Sequence, residues 1–227
     1  MKLRKFIVGL ALMSLVAVPM TAGAAAKTVA KDEIKPATIE TVTDKYKGME
    51  LSYPQVKNLQ NVAARHIINR DIIDTAASFI EERQKQIEDG TTTIKISYQV
   101  RVNKDNVLSL TLLEEEGQDK GAAHAFKKMK GINYNYASGK KITFAELNQI
   151  DKNFKIAPEF TIDKINATLK KQAKEGKVTL LPDFKGIKTL PDFYMGGKFG
   201  LDVFAIFNPY EIGPYAAGIQ TVELTAK

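Results

Sequence analysis

Few side chains in this sequence of 227 residues are equipped for chemistry. There is no cysteine, which excludes disulfides, thiolate metal sites and cysteine nucleophiles. The two histidines, His66 and His124, are far apart in the chain. No GxSxG elbow, HExxH helix, Walker loop or GxGxxG turn is present. His66 falls at helical spacing within an apolar stripe, as a hydrogen-bonded core histidine does. His124 lies among small residues, Gly121-Ala122-Ala123-His124-Ala125, a setting that suits either a tight bend or a pocket. Combined with Asp192 or Asp202 it is the acid–base pair that a hydrolase would need. Glu114-Glu115-Glu116 with Asp119 offers oxygen ligands to a hard cation, although a solvated acidic loop is the plainer reading. No metal ion and no cofactor are expected.

Recognition chemistry is better represented. Asn208-Pro209-Tyr210-Glu211-Ile212-Gly213-Pro214-Tyr215-Ala216-Ala217-Gly218 follows one strongly apolar segment and precedes another. Two prolines fix φ and remove backbone donors, and two glycines permit positive φ. Tyrosine gives contact area at little entropic cost, so a stiff loop with two of them suits a partner surface. The alternative is a crossover whose rings pack on a sheet.

The elements that must carry these residues follow from periodicity. Thr38 to Tyr53 alternates as one or two strands and is expected to stop at Tyr53-Pro54. Asn58 to Asp89 reads as one long helix, capped by Asn58 and closed by Gly90. Its two apolar stripes call for cover on more than one side. Ile94 to Val102 and Val107 to Leu113 alternate strictly around Asn103-Lys104-Asp105-Asn106, a β-hairpin. Glu114 to Gly121 is expected to be loop. Lys130 to Tyr136 reads as a strand, Thr143 to Glu146 as a capping box opening a short helix, and Thr161 to Glu175 as a second helix. Phe193 to Met195, Leu201 to Phe207 and Ile219 to Leu224 are strand-like. Without regular βαβ alternation, the chain is expected to be α+β with antiparallel sheet and one long and one or two shorter helices.

At the N-terminus, a basic start (Lys2, Arg4, Lys5) precedes an apolar run from Phe6 to Val18, then Pro19 and small residues at Ala22-Gly23-Ala24. This is the pattern of a signal peptide over residues 1–24. The apolar run is short for a membrane span, which needs about 20 residues. The expectation is an extracytoplasmic chain, secreted or periplasmic, starting at Ala25 or Lys27. Loss of those three cations lowers the net charge from +7 to +4, which does not argue for nucleic acid. Residues 25–37 read as a flexible lead-in. Residues 38–137 and 138–227 read as two halves of one cooperative unit.

Several stretches together resemble the extracytoplasmic domain of RsiV-type anti-sigma factors. A related non-catalytic module precedes the catalytic domain of the peptidoglycan deacetylase PdaC. The matching pieces are Tyr53-Pro54-Gln55-Val56, Leu108-Ser109-Leu110-Thr111-Leu112, Gly121-Ala122-Ala123-His124, Tyr136 to Thr143, Asp192-Phe193-Tyr194, and Tyr210 to Gly218. The family pattern around the histidine is Gly-Gly-Ala-His-Gly, which this sequence departs from at Ala122 and Ala125. The sigma-binding segment and transmembrane helix of RsiV, and the deacetylase domain of PdaC, have no counterpart here. The resemblance implies a binding module for lysozyme or a peptidoglycan component. Pro209, Tyr210, Glu211, Pro214 and Tyr215 would form its contact surface, with His124 shaping the neighbouring bend. A basic lysozyme would need a local acidic patch, for example around Glu114 to Glu116 and Glu211. The other readings are a cell-envelope hydrolase using His124 with a nearby Asp, and an envelope interaction domain without a small ligand.

Overall fold

Alternating side chains give strands β1 (Thr38–Tyr46) and β2 (Met49–Lys57), paired antiparallel from Thr38 with Lys57 to Tyr46 with Met49. The computed structural model describes residues 35–46, 48–117, 126–148, 159–198 and 200–225. Contrary to the sequence expectation, β2 runs through Pro54. It tolerates a missing donor there because its second neighbour, β3, pairs with it only over Met49, Glu50 and Leu51.

The helical region also differs from expectation. Asn58 does not cap a helix; it takes φ 52° and turns the chain out of β2. Asn61 is the N-cap, its side chain accepting from the Ala64 N–H at 3.0 Å. Helix α1 (Val62–Glu82) then stops at Arg83, whose φ of −119° and ψ of 9° are not helical, and a short α2 (Gln84–Glu88) follows. No proline or glycine marks this break. The two apolar stripes merge into one broad face, with Ala64, Ile68, Ile72, Ile73, Ala76, Phe79 and Ile80 buried. Val62 and Ile67 remain exposed, so α1 is covered on one side only. His66 is half-buried rather than a core residue.

The hairpin of β3 (Ile94–Lys104) and β4 (Val107–Glu116) turns at Asp105 and Asn106, with φ of 51° and 65°. Positive φ at both positions is the two-residue turn whose twist matches the flanking strands. Strand β5 (Lys127–Asn135) adds antiparallel to β4, giving the order β1-β2-β3-β4-β5. All neighbours are antiparallel except β2 and β3. Leu108, Leu110, Leu112, Ile94, Ile96, Ile132 and Tyr134 pack with the apolar face of α1 in the first core.

The second core lies mainly in the C-terminal half and takes in Val102 of β3. The Thr143–Glu146 capping box is made in both directions: the Glu146 N–H donates to Thr143 Oγ1 at 3.3 Å, and the Thr143 N–H to the Glu146 carboxylate at 2.8 Å. Helix α3 (Ile162–Lys174) buries Ile165 and Leu169 and is capped by Thr161. Strands β6 (Asp192–Gly196), β7 (Asp202–Phe207) and β8 (Gln220–Glu223) form an antiparallel sheet in that order. Their inward residues pack with Phe144, Phe160 and α3. The chain is therefore α+β with largely antiparallel sheet. Among the described residues, no helix is long and apolar enough to cross a membrane.

A polar seam joins the two sheets. Ser109, Thr111 and Asn133 are buried. Asn133 Nδ2 donates to the Phe193 carbonyl at 2.8 Å. The Met195 N–H donates to Ser109 Oγ at 2.8 Å and Asn133 Oδ1 at 3.3 Å. Gly131 permits the approach, because an added Cβ would collide with the Phe193 carbonyl. The Arg101 guanidinium lies 4.5 Å from the Tyr194 ring centre.

A carboxamide also binds one residue's N–H and C=O together at several strand and loop edges. Asn69 accepts from the Val56 N–H at 2.7 Å and donates to its C=O at 3.0 Å. Asn103 does this for Ala37, Asn148 for Phe160, Asn166 for Ile187 and Gln220 for Thr179. Val56 is fully buried, so Asn69→Ala strands two polar groups away from water. The variant should lose about 2–6 kcal/mol of unfolding free energy in denaturant titration, at about 1–3 kcal/mol per orphaned group.

Candidate functional site

The loop after β7 is fixed from inside. The Asn208 side chain accepts from the Met129 N–H at 2.7 Å and donates to its C=O at 3.3 Å, tying the loop to the edge of β5. The Asn208 N–H donates to the Glu211 carboxylate at 2.8 Å. Ile212 is fully buried in the second core, and its carbonyl accepts from the Leu181 N–H at 2.8 Å. Gly213 leaves no room for a side chain against the Thr179 carbonyl. Pro214 opens a single 3₁₀ turn, Tyr215–Ala217.

This frame holds Tyr210 at φ 71°, with 66% of its surface exposed. A bulky residue in the left-handed region is strained, at a cost of about 1–3 kcal/mol, and such outliers cluster at functional sites. The Tyr215 ring lies 5.7 Å from that of Tyr210 and tilted by 40°, an aromatic pair at the surface. Pro209, Tyr210, Glu211, Pro214 and Tyr215 thus stand together on one anchored loop. His124 lies outside the described residues. The composition of the loop was legible in the sequence; the positive φ of Tyr210, whose N–H donates to the Gly213 carbonyl at 3.2 Å, was not.

The carboxylates considered for a hydrolase are separated. Asp192 begins β6 opposite Ile206, whereas Asp202 begins β7 opposite Gly196, so they lie at opposite ends of the sheet. Asp192 lines a cleft of about 480 Å³ between α1, β5 and the segment before β6. It also lines an adjoining cleft of about 470 Å³ that reaches Asn208 and Glu211. Burial of its carboxyl against the cleft wall raises its pKa, opposed by Lys130 and reinforced by the Glu211 charge.

The acidic run is not a solvated loop. Glu114 to Glu116 end β4, and alternation sends neighbouring carboxylates to opposite faces. Glu115 pairs with Lys127 at 2.6 Å. Glu116 accepts from Thr92 at 2.9 Å and faces Arg83 Nε at 3.6 Å. Glu114 follows Leu108, Leu110 and Leu112 on the inward row, and is fully buried with neither carboxylate oxygen hydrogen-bonded. Among the described residues no cluster of three acidic or histidine side chains could hold a metal ion.

The two sheets, with the helix on one outer face, make an α+β fold that is also seen in solved structures of a family without assigned function. Residues 145–227 match the family described as "Protein of unknown function (DUF3298)". The chain is similar in fold to the crystal structure of a DUF3298 family member from Bacteroides fragilis, with a TM-score of 0.56 and 12% identity over 85% of this chain and 91% of that one. It is similar also to a DUF3298 family protein from Pseudomonas aeruginosa, with a TM-score of 0.53 and 14% identity over 85% of this chain and 92% of that one. At these identities the likeness is one of fold. No curated protein matches the chain.

Glu114 makes stability depend on pH. Burial pushes its pKa up to about 7; Arg83 and Lys128 work against this, while Glu82 and Glu116 add to it. In the unfolded chain it ionises near its ordinary 4.5. The folded state thus holds the proton more tightly. The resulting stabilisation is complete below about pH 4.5, and is lost as pH rises through about 7, a change of about 3 kcal/mol. Urea unfolding of the parent chain and Glu114→Gln from pH 5 to 8 checks this. The parent should lose stability relative to the variant as pH rises, and parallel curves would refute the assignment.

Proposed function

We propose that this chain is an extracytoplasmic binding module that uses the Tyr210/Tyr215 loop as its contact surface, for a muramidase such as lysozyme or for a cell-wall component. The observation that carries this reading is Tyr210, exposed by 66% yet held at φ 71° by a loop whose frame is anchored at Asn208, Glu211, Ile212 and Gly213. A preformed loop loses little entropy on binding, and tyrosine is enriched among residues that dominate interface energies. The resemblance to RsiV-type sensor domains supports the same loop. The signal-peptide pattern of residues 1–24 supports export, and with it the compartment in which such partners are met.

The electrostatics favour a narrower patch than the acidic run suggested. Glu114 is buried, and Glu115 and Glu116 are engaged with Lys127 and Thr92, so they are poor candidates to face a basic partner. Glu211 is exposed beside Tyr210, and its charge is felt at Asp192. Glu211 is the loop's own carboxylate and accepts from the Asn208 N–H, while Asp192 is flanked by Lys130, Lys141 and Lys128, so a basic partner would meet Glu211 within a mixed patch. For the hydrolase alternative, Asp192 lines a cleft, and His124 lies outside the described residues.

Calorimetric titration with lysozyme at low and physiological salt tests the reading. Binding is expected, and Tyr210→Ala or Tyr215→Ala should weaken it by roughly 30-fold, the equivalent of about 2 kcal/mol. Circular dichroism should show both variants folded. No heat at either salt rejects lysozyme, and unchanged affinity in folded variants rejects the loop.

A further inference from the structure

The five-stranded sheet has two edge strands, β1 and β5. In an antiparallel pair every second residue turns its N–H and C=O away from the partner strand. The Met129 bonds to Asn208 fix which residues these are: Met129, Gly131, Asn133 and Asn135. Most of their outward groups are taken. Met129 is held by Asn208, the Asn133 carbonyl accepts from the Ile142 N–H at 2.7 Å, and the Asn135 N–H donates to the Lys140 carbonyl at 2.9 Å. Between them, the Gly131 N–H, the Gly131 C=O and the Asn133 N–H have no partner among the described residues. They stand consecutively along the edge as donor, acceptor, donor. Gly131 and Asn133 both line the 480 Å³ cleft.

We propose that this gap is a binding site for an extended peptide, whose main chain completes the sheet there. A peptide antiparallel to β5 presents C=O, N–H and C=O to the three groups in order, as strand-addition sites do. The cleft has the size of a ligand site, about 300–1,000 Å³. Asn208 on one side and Ile142 on the other limit the paired stretch to about two residues at ~3.4 Å each. Leu190, 45% exposed at the rim, offers an apolar contact for one side chain. The pattern also discriminates by chemistry. A single trans amide points its N–H and C=O in opposite directions, so the acetamido group of an N-acetylated sugar cannot engage both Gly131 groups. Two amides flanking one residue can. The site is separate from the tyrosine loop and does not need it.

The probe is the blocked dipeptide acetyl-Ala-Ala-amide, followed by amide NMR on the intact chain. Saturable shifts are expected at Gly131 and Asn133, with affinity in the millimolar range. N-methylation of the second alanine removes the donor to the Gly131 carbonyl and should weaken binding about fivefold, the value of one hydrogen bond of ~1 kcal/mol. N-acetylglucosamine should not compete, and Tyr210→Ala should bind the dipeptide unchanged. The proposal is overturned by absence of shifts at Gly131 and Asn133, by equal binding of the N-methyl analogue, or by competition from the sugar. It is also overturned by loss of dipeptide binding in Tyr210→Ala, which would assign the peptide to the loop.

Discussion

A carboxamide that binds the N–H and C=O of a single residue is the interaction on which this structure depends. Edge strands, a β2 that pairs with β3 over three residues only, and long connections leave many backbone groups beyond the reach of a ladder. A buried N–H or C=O without a partner costs about as much as any single interaction contributes. Asn69, Asn103, Asn148, Asn166, Asn208 and Gln220 each serve as a partner strand one residue long. Asn133 spans two residues of β6 in the same manner. Without disulfides, these bonds hold segments together over sequence separations from 12 to 79 residues.

This device links stability to the functional surfaces. The two cores are apolar, with Val102 of the first sheet buried in the second core, and the polar part of the seam is made of Ser109, Thr111, Asn133 and the glycine contact at Gly131. Polar pairs in a fixed geometry set the register of one sheet on the other, which a purely apolar contact would do less sharply. Asn208 is the outer member of that system. It ties the tyrosine loop to β5 and so transfers the rigidity of the larger sheet to the exposed ring of Tyr210. The same bond limits the open edge at Gly131 to a short gap in place of a long unpaired strand, which would invite aggregation.

Local patterns in the chain carried much of this architecture. Strict alternation gave the β3–β4 hairpin, Thr143 with Glu146 gave the capping box, and the Pro/Tyr-rich segment identified the loop. Features set by distant partners were hidden. Pro54 lies within a strand because β3 leaves that part of β2 unpaired. Helix α1 breaks at Arg83 although no residue there is a helix breaker. Asn58 and Asn61 are equally good caps by type, and tertiary packing decides between them. The burial of Glu114 was readable from its parity with Leu108, Leu110 and Leu112, and the surrounding charges obscured it. No local signal separates a clasping asparagine from one in a turn, since its partner is remote.

Native-state amide hydrogen exchange read residue by residue is the direct measure of carboxamide clasping. Met129 and Gly131 are two residues apart on the same outward edge of β5; Asn208 binds the first, and no described residue binds the Gly131 N–H. Val56 and Ile187 are held in the same way by Asn69 and Asn166. Clasping predicts that the Met129, Val56 and Ile187 amides exchange as slowly as amides within the ladders, while the Gly131 amide exchanges far faster. A Met129 amide that exchanges as quickly as Gly131 would contradict it.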